Sequence, residues 1–152
     1  NSWSKAGTMT TPRGYFAVAE MLPGGRVLAA GGWNNGPAIN GADVYDPATN
    51  TWTPVTPMTY KRDFHSLIRQ PDGRILALGG IFSPPNVCEV YDPATNSWIP
   101  TGYSIDDHFS IGGSGAVELG SGAILTAPGN VGISSLSFCG TDPPFTTRIP
   151  RS

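Results

Sequence analysis

At 152 residues the chain has the length of one ordinary domain, and 39% hydrophobic residues with four Trp are enough to build a buried core. Its 20 Gly and 15 Pro are far above average usage while charged residues make up only 13%, a balance that favours a turn-rich, all-β chain over a helical or disordered one. A formal net charge of −2 gives no basic footprint for nucleic acid or an anionic membrane surface, and no apolar run approaches the roughly 18 residues of a spanning helix.

The first residues, Asn1-Ser2-Trp3, match Asn50-Thr51-Trp52 at a spacing of 49, so residues 1–9 are expected to be the last strand of a preceding repeat. The first full unit spans residues 10–58. A mixed strand over 14–22 runs into Pro23-Gly24-Gly25, where proline presets the first corner and glycine supplies the left-handed position of a short hairpin. The apolar run Val27 to Ala30 reads as a strand buried on both faces, closed by Gly31-Gly32. A polar loop then leads to a strand ending in Tyr45. Asp46-Pro47-Ala48-Thr49-Asn50 makes the next turn, with Asp and Asn suited to side-chain-capped corners, and a last strand carries Trp52.

The second unit, residues 59–104, repeats this order. Its first strand covers 64–69, Pro71-Asp72-Gly73 replaces the first turn, and Ile75 to Leu78 is the second apolar run before Gly79-Gly80. Tyr91, the turn Asp92-Pro93-Ala94-Thr95-Asn96 and Trp98 follow, and both Tyr-to-Trp steps are seven residues. The third unit, 105–152, is worn. Its first strand lies in 109–119, Ser121 to Gly129 aligns with Asp72 to Gly80, and Phe138 and Phe145 keep the seven-residue aromatic step. Four strands per unit of about 46 to 49 residues is the blade count of a β-propeller. The small residues let strands approach closely near the axis, and the Tyr–Trp pairs fill the widening gap between blades.

The double glycine after an apolar strand, the tyrosine and the tryptophan seven residues later resemble the kelch repeat. The resemblance implies an all-β chain of about three four-stranded antiparallel kelch-type blades, belonging to a ring of six or seven. The missing part would be the remaining blades of a larger parent chain, or a second copy completing the ring. Such a motif specifies fold far better than function.

The resemblance also extends to copper radical oxidases like galactose oxidase, which would need paired tyrosines and histidines and a cysteine crosslink. This chain has only His65 and His108. His65 reads as a hydrogen-bonded structural residue, and His108 with Asp106 and Asp107 as part of an exposed polar loop. Gly112-Gly113-Ser114-Gly115 lacks a P-loop lysine, and no serine occupies a Gly-x-Ser-x-Gly elbow. No catalytic residue, metal ligand or cofactor is assigned. The alternative is a segment of a copper carbohydrate oxidase whose ligands lie elsewhere.

Binding of a protein or glycan is the reading preferred. The strand 2–3 loops differ between units in length and sequence, as binding loops on a repeated scaffold do. They carry Trp33, Asn34 and Asn35 in one unit and Phe82 in the next. Loops leading into the first strands carry Arg13, then Arg62 and Asp63, then Asp106, Asp107 and His108. Arg13 and Arg62, 49 residues apart, are expected to form a positive, aromatic-edged pocket for an acidic or carbonyl-rich ligand, with the aspartates as rim ion pairs. On this view Arg62→Ala weakens binding by about 1–3 kcal/mol and leaves folding intact.

Cys88 and Cys139 are the only cysteines. They fall on equivalent third strands of neighbouring units, four residues out of step, a separation expected to exceed the roughly 7 Å Cα limit of a disulfide. Both are expected to be free thiols. Few lysines and many Thr, Asn, Gly and Pro suggest an extracellular or cell-surface address.

Overall fold

The computed structural model describes residues 3, 5–15, 17–80, 87–103, 115–118, 124–127 and 135–137. Among them there is no helix. β1 (Val18–Met21), β2 (Val27–Ala30), β3 (Ala42–Asp46) and β4 (Thr51–Val55) pair in sequence order into one antiparallel sheet. β5 (Ser66–Arg69), β6 (Ile75–Leu78), β7 (Val87–Asp92) and β8 (Ser97–Tyr103) repeat that order in a second. β9 (Gly115–Glu118), β10 (Ile124–Ala127) and β11 (Ser135–Ser137) form a third sheet of three strands. The aromatic pair expected in the worn unit, Phe138 and Phe145, lies outside the described residues.

The turns follow from single residues. Gly25 N–H donates to the Leu22 carbonyl and Gly73 N–H to that of Gln70, so both hairpins turn on a proline-led corner. In the first, Gly24 at φ 83° takes the third corner position that a type II turn requires; in the second, Asp72 stands there without a positive φ and Gly73 takes the left-handed residue at φ 88°. At the third turn of each sheet Asn50 and Asn96 adopt φ 55° and 51°, the region asparagine tolerates best after glycine.

The first strands of successive sheets are neighbours, β1 beside β5 and β5 beside β9. The sheets thus converge on their first strands and fan apart outwards, the radial arrangement of propeller blades. β2 and β6 are the deep strands, as their apolar runs predict, with Leu28, Ala30, Ile75, Leu76 and Ala77 fully buried.

Two interfaces of one design hold the blades together. Leu28, Ala30, Ala42 and Val44 on one face of the first sheet pack against Leu67, Ile75, Ala77, Tyr91 and Trp98 on the opposite face of the second. The second sheet's other face, Ile68, Leu76, Leu78, Cys88 and Val90, then meets Ile124 on β10. Ile124 aligns with Ile75 in the repeat, so the third blade enters by the same residue position. Tyr45 faces Trp52 and Tyr91 faces Trp98 across their strand pairs, each with ring centroids 5.1 Å apart. Trp98 Nε1–H donates to the Thr56 carbonyl of the preceding blade at 2.9 Å.

Residues 5–9 form no strand, yet they take a blade-like place. Gly7 N–H donates to Asn50 Oδ1 at 2.9 Å, just as Thr56 N–H at the end of the first blade donates to Asn96 Oδ1 at 3.1 Å. The segment sits against the first blade as the end of the first blade sits against the second.

The expectation of free thiols is corrected. Cys88 is disulfide-bonded, and no described cysteine is free. The expectation assumed that third strands stand a full blade gap apart. Cys88, however, is wholly buried on the face that packs against Ile124, so its sulfur already lies inside that gap. Cys139 lies outside the described residues.

Candidate binding face

The loops at the double-glycine end of the blades are organised by two arginines. Arg13 Nη1 donates to the carbonyls of Gly31 (2.6 Å) and Gly41 (2.8 Å), and Nη2 pairs with Asp43 Oδ2 at 2.5 Å. Arg62 repeats this one blade on. Its Nη1 donates to the Gly79 carbonyl (2.6 Å), Nη2 to that of Val87 (2.7 Å), and Nε and Nη2 to Glu89 Oε1 (3.2 and 3.1 Å). The carboxylates also hold the incoming chain. Thr10 Oγ1 donates to Asp43, and Thr59 and Tyr60 N–H donate to Glu89 at 2.6 and 3.2 Å. Each guanidinium thus locks the segment entering a blade to the double glycine and third strand of that same blade.

The same segment is bonded to the blade before. Met58 N–H donates to the Asn40 carbonyl, Arg62 N–H to that of Ile39, and Gly32 N–H to that of Arg62. Gly31 has to be glycine here: at φ 61° a Cβ would stand 2.5 Å from the Arg62 carbonyl oxygen and from His65 Cε1.

These contacts correct the expected positive pocket. The side chains of Arg13 and Arg62 are 2% and 0% exposed, and each is paired with a fully buried carboxylate. Burial lowers the Arg62 pKa, and Glu89 opposes that shift through its charge and hydrogen bond. Neither guanidinium is open to solvent. Asp63 is buried rather than a rim partner; Oδ1 makes no hydrogen bond, and burial raises its pKa. His65 is buried, and the expectation of a hydrogen-bonded histidine is corrected, because neither ring nitrogen has a hydrogen-bond partner. Burial, with Arg62 and Arg13 nearby, drops its pKa to about 3 and keeps the imidazole neutral.

Trp33, Asn34 and Asn35 do come together. Trp33 is bridged to Tyr15 on one side and to Ala38 on the other, so the strand 2–3 loop is a small hairpin rather than an irregular loop. Gly14 and Tyr15 N–H donate to the Trp33 carbonyl, and Trp33 N–H returns a bond to the Tyr15 carbonyl at 2.8 Å. The Tyr15 and Trp33 rings lie 5.9 Å apart, tilted by 44°, and Tyr15 is 60% exposed. Asn34, Asn35, Gly36 and Pro37 form an exposed tip, with Asn35 at φ 44°. Phe82, Asp106, Asp107 and His108 lie outside the described residues.

Sequence reasoning missed Tyr15, Asp43 and Glu89. Tyr15 follows Arg13 by two residues, as Phe64 follows Arg62, and that repeated aromatic was the available signal. An acid set among apolar residues inside each third strand, Ala-Asp-Val-Tyr and Cys-Glu-Val-Tyr, was the sign that each arginine has a buried partner.

The Kelch motif matches residues 12–59 and 70–101. Over 61 residues the chain is 36% identical to an F-box/kelch-repeat protein of Arabidopsis thaliana, a match covering 40% of this chain and 15% of that one. Over 46 residues it is 46% identical to Kelch-like protein 7 of Homo sapiens, covering 30% and 8%. Among solved structures it resembles a fungal alcohol oxidase of the AA5 family in complex with copper, with a TM-score of 0.64 and 22% identity over 79% of this chain and 28% of that one. At this identity the likeness is one of fold. The matches span under a third of the length of each of these proteins.

Proposed function

The chain belongs to the kelch-repeat family, and from that premise we propose that it is a protein-binding segment of a propeller, with its contact site at Tyr15, Trp33, Asn34 and Asn35. The backbone-fixed aromatic pair, Tyr15 exposed and Trp33 half-buried, carries this reading. Tyr and Trp give large rigid contact area at small entropic cost, while Asn and Gly beside them supply adaptable hydrogen bonds. None of these side chains is charged, and the nearby arginines are already neutralised by Asp43 and Glu89. The ligand is accordingly an uncharged protein segment, in place of the acidic or carbonyl-rich one expected from the sequence.

Selection from a displayed random-peptide library tests this directly. The chain is expected to enrich a family of uncharged, apolar-centred peptides. Trp33→Ala should weaken their binding by about 2 kcal/mol or more, roughly thirtyfold, with an unchanged unfolding midpoint. Peptides that bind the Trp33→Ala variant equally well would place the site elsewhere. Binding to neutral glycans on an array, with no peptide enriched, would make the ligand a sugar.

A further inference from the structure

We infer that the Cys88 disulfide is a structural staple between the second and third blades, and that the protein acquires it in an oxidising compartment. Cys88 is 0% exposed on β7 and packs with Ile68, Leu76, Leu78, Val90 and the third blade's Ile124. The bonded sulfur therefore lies in the interface itself, not on a rim. The chain offers one other cysteine, Cys139, 51 residues further on and beyond β11. A crosslink between residues 51 apart in sequence closes a long loop and so restricts the unfolded chain.

The chemistry sets the compartment. Two thiols form one S–S bond by giving up two protons and two electrons, and the acceptor is a disulfide-donating oxidoreductase. One cysteine's thiolate attacks the donor's disulfide, the second cysteine's thiolate displaces the mixed disulfide, and the donor leaves as a dithiol. Reducing compartments keep such a pair as thiols. Once the bond is closed, its Cys88 sulfur is shielded, because Cys88 offers no surface to a reductant. An extracellular or surface address, suggested by composition alone, thus gains an independent physical argument.

The decisive measurement is a thiol titration of the full chain, secreted from an oxidising host and denatured without reductant. It should find no free thiol, an intact mass about 2 Da below that of the reduced chain, and one linked peptide pair containing Cys88 and Cys139. Reductant added in denaturant, followed by refolding, should lower the unfolding midpoint by about 10 °C. A Cys88→Ala, Cys139→Ala double variant should show the lowered midpoint with no response to reductant, which separates the staple from side effects of the treatment. Two titratable thiols, or a disulfide-linked dimer, would overturn the staple. Alkylation of living cells that make the parent protein, finding both cysteines reduced, would overturn the compartment.

Discussion

The Arg62 guanidinium exchanges its hydration for four hydrogen bonds inside the joint between two blades. Taking away one partner of such a pair leaves an uncompensated buried charge, which costs about 3–5 kcal/mol. Arg62→Ala is therefore expected to destabilise the chain by that amount, measured by urea unfolding, and not to spare folding as the sequence suggested. Arg62→Met combined with Glu89→Met should recover only part of the loss, since it removes the stranded charge but leaves the Thr59 and Tyr60 N–H groups and the Gly79 and Val87 carbonyls without these partners. His65 gives a second residue-scale expectation. Its native pKa near 3 lies below the usual value of 6.5, so between these pH values the unfolded chain binds a proton that the native chain refuses. The stabilising contribution is complete above about pH 6.5 and is lost as pH falls, by at most about 1.4 kcal/mol per pH unit, levelling off near pH 3. Asp63 acts in the opposite sense, because its raised pKa makes the native state the tighter proton binder. His65→Phe, which copies Phe16 one repeat upstream, should flatten the acid limb of the urea-midpoint profile without loss at pH 7; an unchanged slope would assign that limb to other groups.

At the scale of strands and turns, most of the architecture was legible in advance because it depends on local pattern. Continuous apolar runs located β2 and β6, Pro-Gly and Asp-Gly located the hairpins, and the Tyr-to-Trp step fixed the pairing of β3 with β4 and of β7 with β8. The binding face was legible only in part. Trp33, Asn34 and Asn35 were identifiable as loop residues, but a charged side chain beside a glycine-rich loop looks the same in sequence whether it faces water or a buried acid. Only the fold, bringing Glu89 from 27 residues away onto Arg62, decides between them. The Asn turns are a testable case of local pattern serving long-range packing. Asn96 combines a φ of 51° with hydrogen bonds from Tyr91 Oη and from Thr56 of the preceding blade. Asn96→Ala loses both the backbone tolerance and the bonds, whereas Asn96→Gly loses the bonds alone. Alanine is expected to cost about 1–3 kcal/mol and glycine measurably less; equal costs would mean that the φ angle contributes nothing.

For the molecule as a whole, the repeated interface implies a surface that is made to be covered. Leu67, Ile75, Ala77, Tyr91 and Trp98 of the second blade are buried by the first. Their counterparts on the first blade are Ala19, Val27, Ala29, Tyr45 and Trp52, with Met21 on the same face and 54% exposed. Tyr45 and Trp52 are only partly buried, where Tyr91 and Trp98 are nearly inaccessible. Another four-stranded sheet of this design would fill that face, whether supplied by further blades of a longer chain or by a second copy. An apolar sheet face left open drives self-association in proportion to the area it can remove from water. The 152-residue chain is therefore expected to show a concentration-dependent rise in mass by light scattering. Met21→Glu should suppress that rise, because it places a charge on the exposed apolar edge of the face, at the end of β1, without touching either internal interface. Association that persists unchanged in Met21→Glu would mean that the chain pairs through a different surface, and a monomer at every concentration would mean that this face needs no cover.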